Sequence, residues 1–187
     1  YGDDIKIIVI DKITRGSVET CLQAEEYIDN DDPLVVYTLD VFFEPFFDPT
    51  DIDTSINGSI LTFKSNNPAY SYASLDKNKN VIKTAEKEVI SENAAVGVYT
   101  FTKGSEFVRY AKQMIDLNLT TNNEFYICPL YNLMIQDGCT IKTADVKKMH
   151  LMGTPEELNF FVTHTLKKFG DKPIALSIFI KTDSPIC

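Results

Sequence analysis

Long apolar runs are missing from this sequence. No stretch approaches the roughly 20 consecutive apolar residues that a membrane-spanning helix needs, and no signal-peptide pattern is visible. Positive charge is scarce too: 18 Lys and Arg stand against 27 Asp and Glu, a formal net charge of -9. That balance argues against nucleic-acid backbones and anionic membranes as general partners. A small phosphorylated ligand held in one local basic pocket stays compatible with it. The four cysteines (Cys21, Cys128, Cys139, Cys187) form no CxxC pair, which fits reduced, cytoplasmic thiols rather than a zinc site or disulfide framework. Histidine is limited to His150 and His164. Neither has a Ser or Cys partner at a catalytic spacing, so both read as structural or surface residues. GxSxG, HExxH, Walker and GxGxxG patterns are all absent.

What is present is enough for a core. A hydrophobic fraction of 44% and 12 Phe among 187 residues predict one folded domain, neither disordered nor fibrous. Its organising stretch is Pro33-Leu34-Val35-Val36-Tyr37-Thr38-Leu39-Asp40, an apolar, β-branched run that ends on a carboxylate. A continuous run of this length predicts a strand buried on both faces. In open α/β sheets ligands bind beyond the carboxyl ends of the strands, which is where Asp40 would stand. Asp40 reads equally well as a ligand-holding group or as the polar end of a strand.

Residues 5–10 predict a buried strand, and Gly16-Ser17 opens a helix with Ser17 as N-cap and apolar residues at helical spacing to Ile28. With the strand after it, this succession predicts the crossover unit of a parallel sheet. The carboxylates Asp40, Glu44 and Asp48 recur every four residues, but Pro45 and Pro49 oppose a helix, so a loop with packing phenylalanines is expected. Strands are expected at 59–63, 70–73, 81–85, 94–101 and 140–146, with hairpin composition at 76–80. Gly97 inside the fourth of these marks a close approach of ligand or backbone. Helices are expected at 105–117 and 124–136. A third starts at Thr154 with a Thr-Pro-Glu-Glu capping box and turns Leu158, Phe161, Val162, Thr165, Leu166 and Phe169 inward. Residues 174–180 predict a last strand. The chain divides into a domain at 1–170 and, at 171–187, a tail or the start of a further segment. It opens on Tyr1 and runs almost at once into a strand-like segment, which reads as an interior fragment or one lacking an upstream segment.

The polar residues left at predicted strand and helix edges are Asp40, Glu86, Lys87, Asn93, Gly97 and Glu124. A carboxylate there can hold Mg²⁺ together with substrate phosphates, and a lysine can neutralise phosphate as a point charge. A glutamate at a helix start can accept from ligand hydroxyls, or simply complement the helix dipole.

In order and spacing over residues 5–165, several pieces resemble the sugar-phosphate nucleotidyltransferases, nearest to bacterial capsule and surface-polysaccharide members. They are Thr14-Arg15-Gly16-Ser17-Val18-Glu19-Thr20, the run from Asp32 to Asp40, Tyr70-Ser71-Tyr72, Glu86-Lys87, the segment SENAAVGVYTF at 91–101, Asn123-Glu124-Phe125-Tyr126 with Pro129-Leu130-Tyr131-Asn132, and Gly153-Thr154-Pro155-Glu156-Glu157-Leu158. The resemblance implies a three-layer, Rossmann-like and GT-A-like α/β fold. Its sheet would be mixed and mostly parallel, with helices on both sides, truncated at its N-terminal side. It implies transfer of a nucleoside monophosphate from an NTP to a phosphorylated acceptor, usually a sugar 1-phosphate, with release of pyrophosphate. Mg²⁺ is the implied cofactor, and the resemblance leaves room for a homo-oligomer.

Carried over residue by residue, Asp40 matches the metal-binding aspartate and Gly16 the glycine near the nucleotide base. Glu86 and Lys87 match the pair facing sugar and phosphate, with Asp40 and Lys87 the implied catalytic residues. Gly97 matches the glycine of the acceptor pocket, and Glu124 the acid that binds acceptor hydroxyls. Two departures stand out. Leu151 and Met152 occupy the place of a second metal-binding aspartate before Gly153, and the family's glycine-rich phosphate loop with its Arg and Lys is not present. These 187 residues alone are therefore expected not to turn over. Two other readings stay open: a cytidylyltransferase acting on a small non-sugar phosphate such as phosphocholine, and a catalytically silent binding or regulatory homologue.

Overall fold

The structure, a computed structural model, describes residues 6–44 and 52–169. The expectations for Ile5, Asp48, the 174–180 strand and the 1–170/171–187 division lie outside or at the edge of these residues.

The predicted helix after Gly16 is broken into three short turns: α1 (Ser17–Cys21), a 3-10 turn (Leu22–Ala24) and α2 (Glu25–Ile28). Gly16, not Ser17, is the N-cap residue, and Ser17 Oγ donates instead to the Phe125 carbonyl at 3.4 Å. The organising stretch forms β1 (Leu34–Tyr37). Residues 41–44, expected in a loop, form β2 (Val41–Glu44), because the backbone pairs antiparallel with an unforeseen strand 107 residues on and buries Phe42 and Phe43. Strands β3 (Gly58–Lys64), β4 (Ser71–Leu75), β5 (Val81–Glu86) and β6 (Asn93–Phe101) follow, all within a residue or two of expectation. Then come α3 (Gly104–Asp116), α4 (Ile127–Gln136), β7 (Ile141–Asp145), the unforeseen β8 (Lys148–Leu151) and α5 (Pro155–Phe160). Helix α5 begins with the expected capping box, Thr154 Oγ1 accepting from Glu157 N at 3.2 Å and Glu157 Oε2 accepting from Thr154 N at 3.0 Å. Beyond it the turns widen to a π segment at Phe161–Thr165. That breaks the 3.6-residue period, so Phe161 and Thr165 are buried while Leu158 and Val162 are exposed rather than inward.

The main sheet runs β5-β4-β6-β3-β7, with β1 also paired to β6. It is mixed, but mostly antiparallel rather than mostly parallel. β1, β3 and β7 do run the same way, since β3 pairs β7 in parallel and both β1 and β3 pair β6 antiparallel. The reversed nine-residue β6 lies between β1 and β3 and turns each of their contacts into an antiparallel one. The expected first strand is not formed at 6–10: these residues pair with no strand, and Ile7 and Val9 are 73% and 87% exposed. A strand exists only through a neighbour's backbone groups, and none of the described residues supplies them here. For the same reason β1 is half-buried rather than buried on both faces: among the described residues it pairs along one edge only.

Alternation along the strands sends side chains to two cores. Ile60, Ala95, Tyr99 and Phe101 face helices α1–α4, packing on Val18, Phe107 and Tyr131. Leu61, Val96 and Val98 face the other way, onto Val41, Phe43, Met149 and Leu151 of the β2–β8 ribbon. Helices were expected on both faces; the second face is instead covered by the ribbon, whose Phe42 and His150 rings lie 5.1 and 5.8 Å from that of Phe161 in the π segment.

Candidate functional site

The site is built around a change of partner on one edge of β6. Residues 98–101 pair with β1, whereas Ala94 pairs with Tyr72 of β4. Gly97 sits at the change with φ +94, in the left-handed region that favours glycine. Its carbonyl accepts from Thr38 N at 3.0 Å, and a Cβ placed on it would lie only 2.2 Å from Thr38 Oγ1. The missing side chain therefore lets Thr38 dock against β6. Thr38 Oγ1 in turn donates to Asp40 Oδ1 at 3.0 Å. Leu39 takes φ +41 and folds the chain back, so that Asp40 N bonds the Thr38 carbonyl while the Asp40 carbonyl accepts from Met152 N at 2.7 Å. Asp40 thus stands beyond the end of β1, exposed, tied on one side to β6 and on the other to the segment after β8. The close approach expected at Gly97 is that of Thr38.

A cavity of about 280 Å³ opens at this edge, with Asp40, Gly97, Ser71, Glu86, Tyr99 and Tyr126 among its lining. Glu86 ends β5 directly across from Ser71 of β4. Its Oε2 accepts from Ser71 Oγ. Burial pushes its carboxyl above the ordinary 4.5, offset in part by the Ser71 donor and the Lys87 charge. The next residue, Lys87, adopts φ +56 with its N–H on the Tyr70 carbonyl at 3.0 Å. That turn sends its ammonium to the Tyr126 hydroxyl at 2.8 Å, 4.9 Å from the ring centroid. Tyr126 also interacts through its hydroxyl with Glu124.

Of the residues singled out from sequence, Asp40, Glu86 and Gly97 line the one cavity, and Lys87 and Glu124 adjoin it through Tyr126. Glu124 is not at a helix start as expected, because α4 begins at Ile127. The backbone before α4 is already used: Phe125 N donates to Arg15 O at 2.7 Å and Phe125 O accepts from Val18 N at 3.0 Å. Gly16 belongs to that contact. Its φ is +119, and a Cβ there would lie 2.6 Å from Phe125 N and O. It docks α1 on the 124–126 segment, while its neighbour Ser17 reaches the cavity. Leu151 also lines the cavity, so an apolar side chain occupies the neighbourhood of the absent second aspartate. Among the described residues no cluster of three or more His, Cys, Asp or Glu could hold a metal. His150 packs against Phe42 and Phe161, and His164 stacks on Phe160; neither is among the cavity-lining residues.

Sequence reasoning assigned no role to Thr38, Ser71, Tyr99 or Tyr126. All four stood in motifs that carried the resemblance, but what they touch depends on cross-strand register and on the turns at Leu39 and Lys87.

Glu86 gives a stability prediction with a definite sign. Its folded pKa lies above its unfolded value, so its contribution is fully present below the ordinary 4.5 and is lost as pH rises through the folded pKa. Glu86→Gln is expected to raise the thermal midpoint at neutral pH, and the gain should shrink toward zero at about pH 4. Paired melting curves at the two pH values check this; an equal shift at both would show that the carboxyl's ionisation is not the cause.

Comparison with protein-family models and with curated proteins finds no match. Solved structures do match. A nucleoside-diphosphate-sugar pyrophosphorylase from Vibrio cholerae RC9 is similar at 27% identity and TM-score 0.71, over 82% of this chain and 67% of that one. A putative glucose-1-phosphate thymidylyltransferase from Bacillus anthracis is similar at 18% identity and TM-score 0.61, over 79% and 60%. The inositol-1-phosphate CTP transferase from T. maritima matches at 14% identity and TM-score 0.56, over 79% and 60%. The latter two share the fold alone. The described α/β fold is thus that of sugar-phosphate nucleotidyltransferase structures over about four fifths of the chain, which spans two thirds or less of their length.

Proposed function

We propose that this chain carries the metal and acceptor side of a nucleotidyltransferase. The enzyme would transfer a nucleoside monophosphate from an NTP to a sugar 1-phosphate and release pyrophosphate, in the cytoplasm, for surface or capsule polysaccharide precursors. The observation that carries this is the placement of Asp40 and Glu86 on one cavity at the carboxyl end of β1, with the Lys87 ammonium beside it at Tyr126. An acid for a metal, a cation for phosphate and a second acid for hydroxyls are what phosphoryl transfer to a sugar needs. The similar structures make the same chemistry the natural reading of the fold.

A single carboxylate suits Mg²⁺ held mainly by substrate phosphates and does not suit a resident all-protein ion. Asp40 would hold it, and when bound the ion offsets the negative charge of the nucleotide phosphates. Lys87 would steady the acceptor phosphate, Glu86 and Glu124 would accept from acceptor hydroxyls, and Gly97 would keep the pocket floor free of a side chain. Gly16 would act near the nucleotide base through the α1 contact it permits. An acceptor phosphate oxygen then attacks the α-phosphorus in line. The bond from that phosphorus to the bridging oxygen breaks, and pyrophosphate leaves with the electron pair.

We place the nucleotide's phosphate loop in a segment outside these 187 residues. Among the described residues the second edge of β1 is unpaired and residues 7–10 are exposed and unpaired, which supports that reading, as does the greater length of the similar structures. The natural full-length protein, assayed with Mg²⁺, four NTPs and a panel of sugar 1-phosphates and small phosphates including phosphocholine, is expected to release pyrophosphate only with a sugar 1-phosphate. The 187-residue chain alone is expected to release none. Release with phosphocholine instead would change the acceptor class. Nucleotide binding that ignores both Mg²⁺ and Asp40→Ala, without turnover, would make the protein a silent homologue.

A further inference from the structure

We propose that Ser71 is the positioning residue of the acceptor pocket: its hydroxyl fixes one oxygen of Glu86 and leaves the other to accept from a hydroxyl of a polyhydroxylated phosphorylated acceptor. The proposal rests on the functional reading above. Ser71 and Glu86 face each other as a cross-strand pair of β4 and β5, and both line the cavity. Ser71 is only 8% exposed, and its Oγ donates to Glu86 Oε2. Glu86 Oε1 has no hydrogen-bond partner among the described residues.

The Tyr99 hydroxyl and the Cys128 thiol, both fully buried, interact with the Ser71 side chain. Burial pushes both far up, so at neutral pH each carries its proton. The serine has one O–H, and it is given to Glu86 Oε2. A carboxylate fixed in this way is half satisfied. Its second oxygen takes one more donor, which a sugar or other polyol supplies and a quaternary ammonium group, with no N–H, does not. A site built to accept a hydroxyl discriminates strongly against an analogue lacking it.

The test compares wild type, Ser71→Ala and Ser71→Thr in the full-length protein, with circular dichroism to establish that each is folded. Ser71→Ala is expected to raise KM for glucose 1-phosphate about tenfold, the loss of a hydrogen bond to a charged group, with kcat and the NTP KM within about twofold. Ser71→Thr keeps the hydroxyl and should restore most of the difference. Because the Ser71 donor lowers the Glu86 pKa, its removal should move the acidic limb of the acceptor KM profile to higher pH. Carbon-13 carboxyl titration of Glu86 without substrates should move the same way. An unmoved Glu86 titration in Ser71→Ala overturns the proposal, as does a fall in kcat with an unchanged acceptor KM. If wild type turns over no acceptor, the enzymatic reading fails, and calorimetry with glucose 1-phosphate decides the proposal. Binding about tenfold weaker in Ser71→Ala supports it, and equal binding overturns it.

Discussion

Asp40→Asn is expected to lower sugar 1-phosphate-dependent pyrophosphate release by about 10³-fold, roughly 4 kcal/mol of transition-state stabilisation, while leaving the protein folded. The two halves of that expectation have different origins. Asparagine keeps the shape of aspartate, and its amide oxygen can still accept from Thr38 Oγ1. The bonds that fix the turn, from Asp40 N to Thr38 O and from Met152 N to Asp40 O, are backbone bonds that the substitution leaves alone. What disappears is the charge that would hold Mg²⁺ on the phosphates, and among the described residues no cluster of three or more metal-ligating side chains stands ready to compensate. The assay is pyrophosphate release by wild type and variant across a Mg²⁺ titration, with melting curves alongside. A loss below about tenfold at saturating Mg²⁺ would remove Asp40 from the metal role.

Gly97→Val is expected to cost about 3 kcal/mol or more, lowering the thermal midpoint by about 6–12 °C in a domain of this size. A β-branched residue at φ +94 is strained before any contact is counted. The new Cβ would then meet Thr38 Oγ1 at 2.2 Å and force β1's end away from β6. Because Thr38 is the group that steadies Asp40, activity should fall in the folded fraction as well. Gly97→Ala combined with Thr38→Ala separates the two causes. Removing the threonine oxygen relieves the clash but not the backbone strain, so the pair should show a coupling of about 1 kcal/mol. Additive effects would mean that Thr38 and Gly97 do not act through each other.

Most strands and helices were legible because their signals are local. The apolar and β-branched runs of β3 to β6, the capping box at Thr154 and the punctuation at 76–80 each depend on a few neighbouring residues. Where the structure departs from expectation, the deciding partner is distant in sequence. Val41–Glu44 is a strand because Lys148–Leu151 pairs with it. α4 starts late because Phe125 is held by Arg15 and Val18. Residues 6–10 read as a strand from composition alone and find no partner to make them one.

The same division runs through the candidate site. Asp40, Glu86, Lys87, Gly97, Glu124 and Gly16 could be named from residue type and motif order, because a carboxylate at a strand end or a glycine inside a strand is visible in one dimension. Their arrangement was not. The switch of β6 from β1 to β4 at Gly97 brings Thr38 to Asp40, and the register of β4 on β5 sets Ser71 against Glu86. The left-handed turn at Lys87 delivers its ammonium to Tyr126. Each depends on backbone register and on φ values that no side-chain pattern encodes, so the sequence determined which groups the site contains, and only tertiary pairing decided which of them touch.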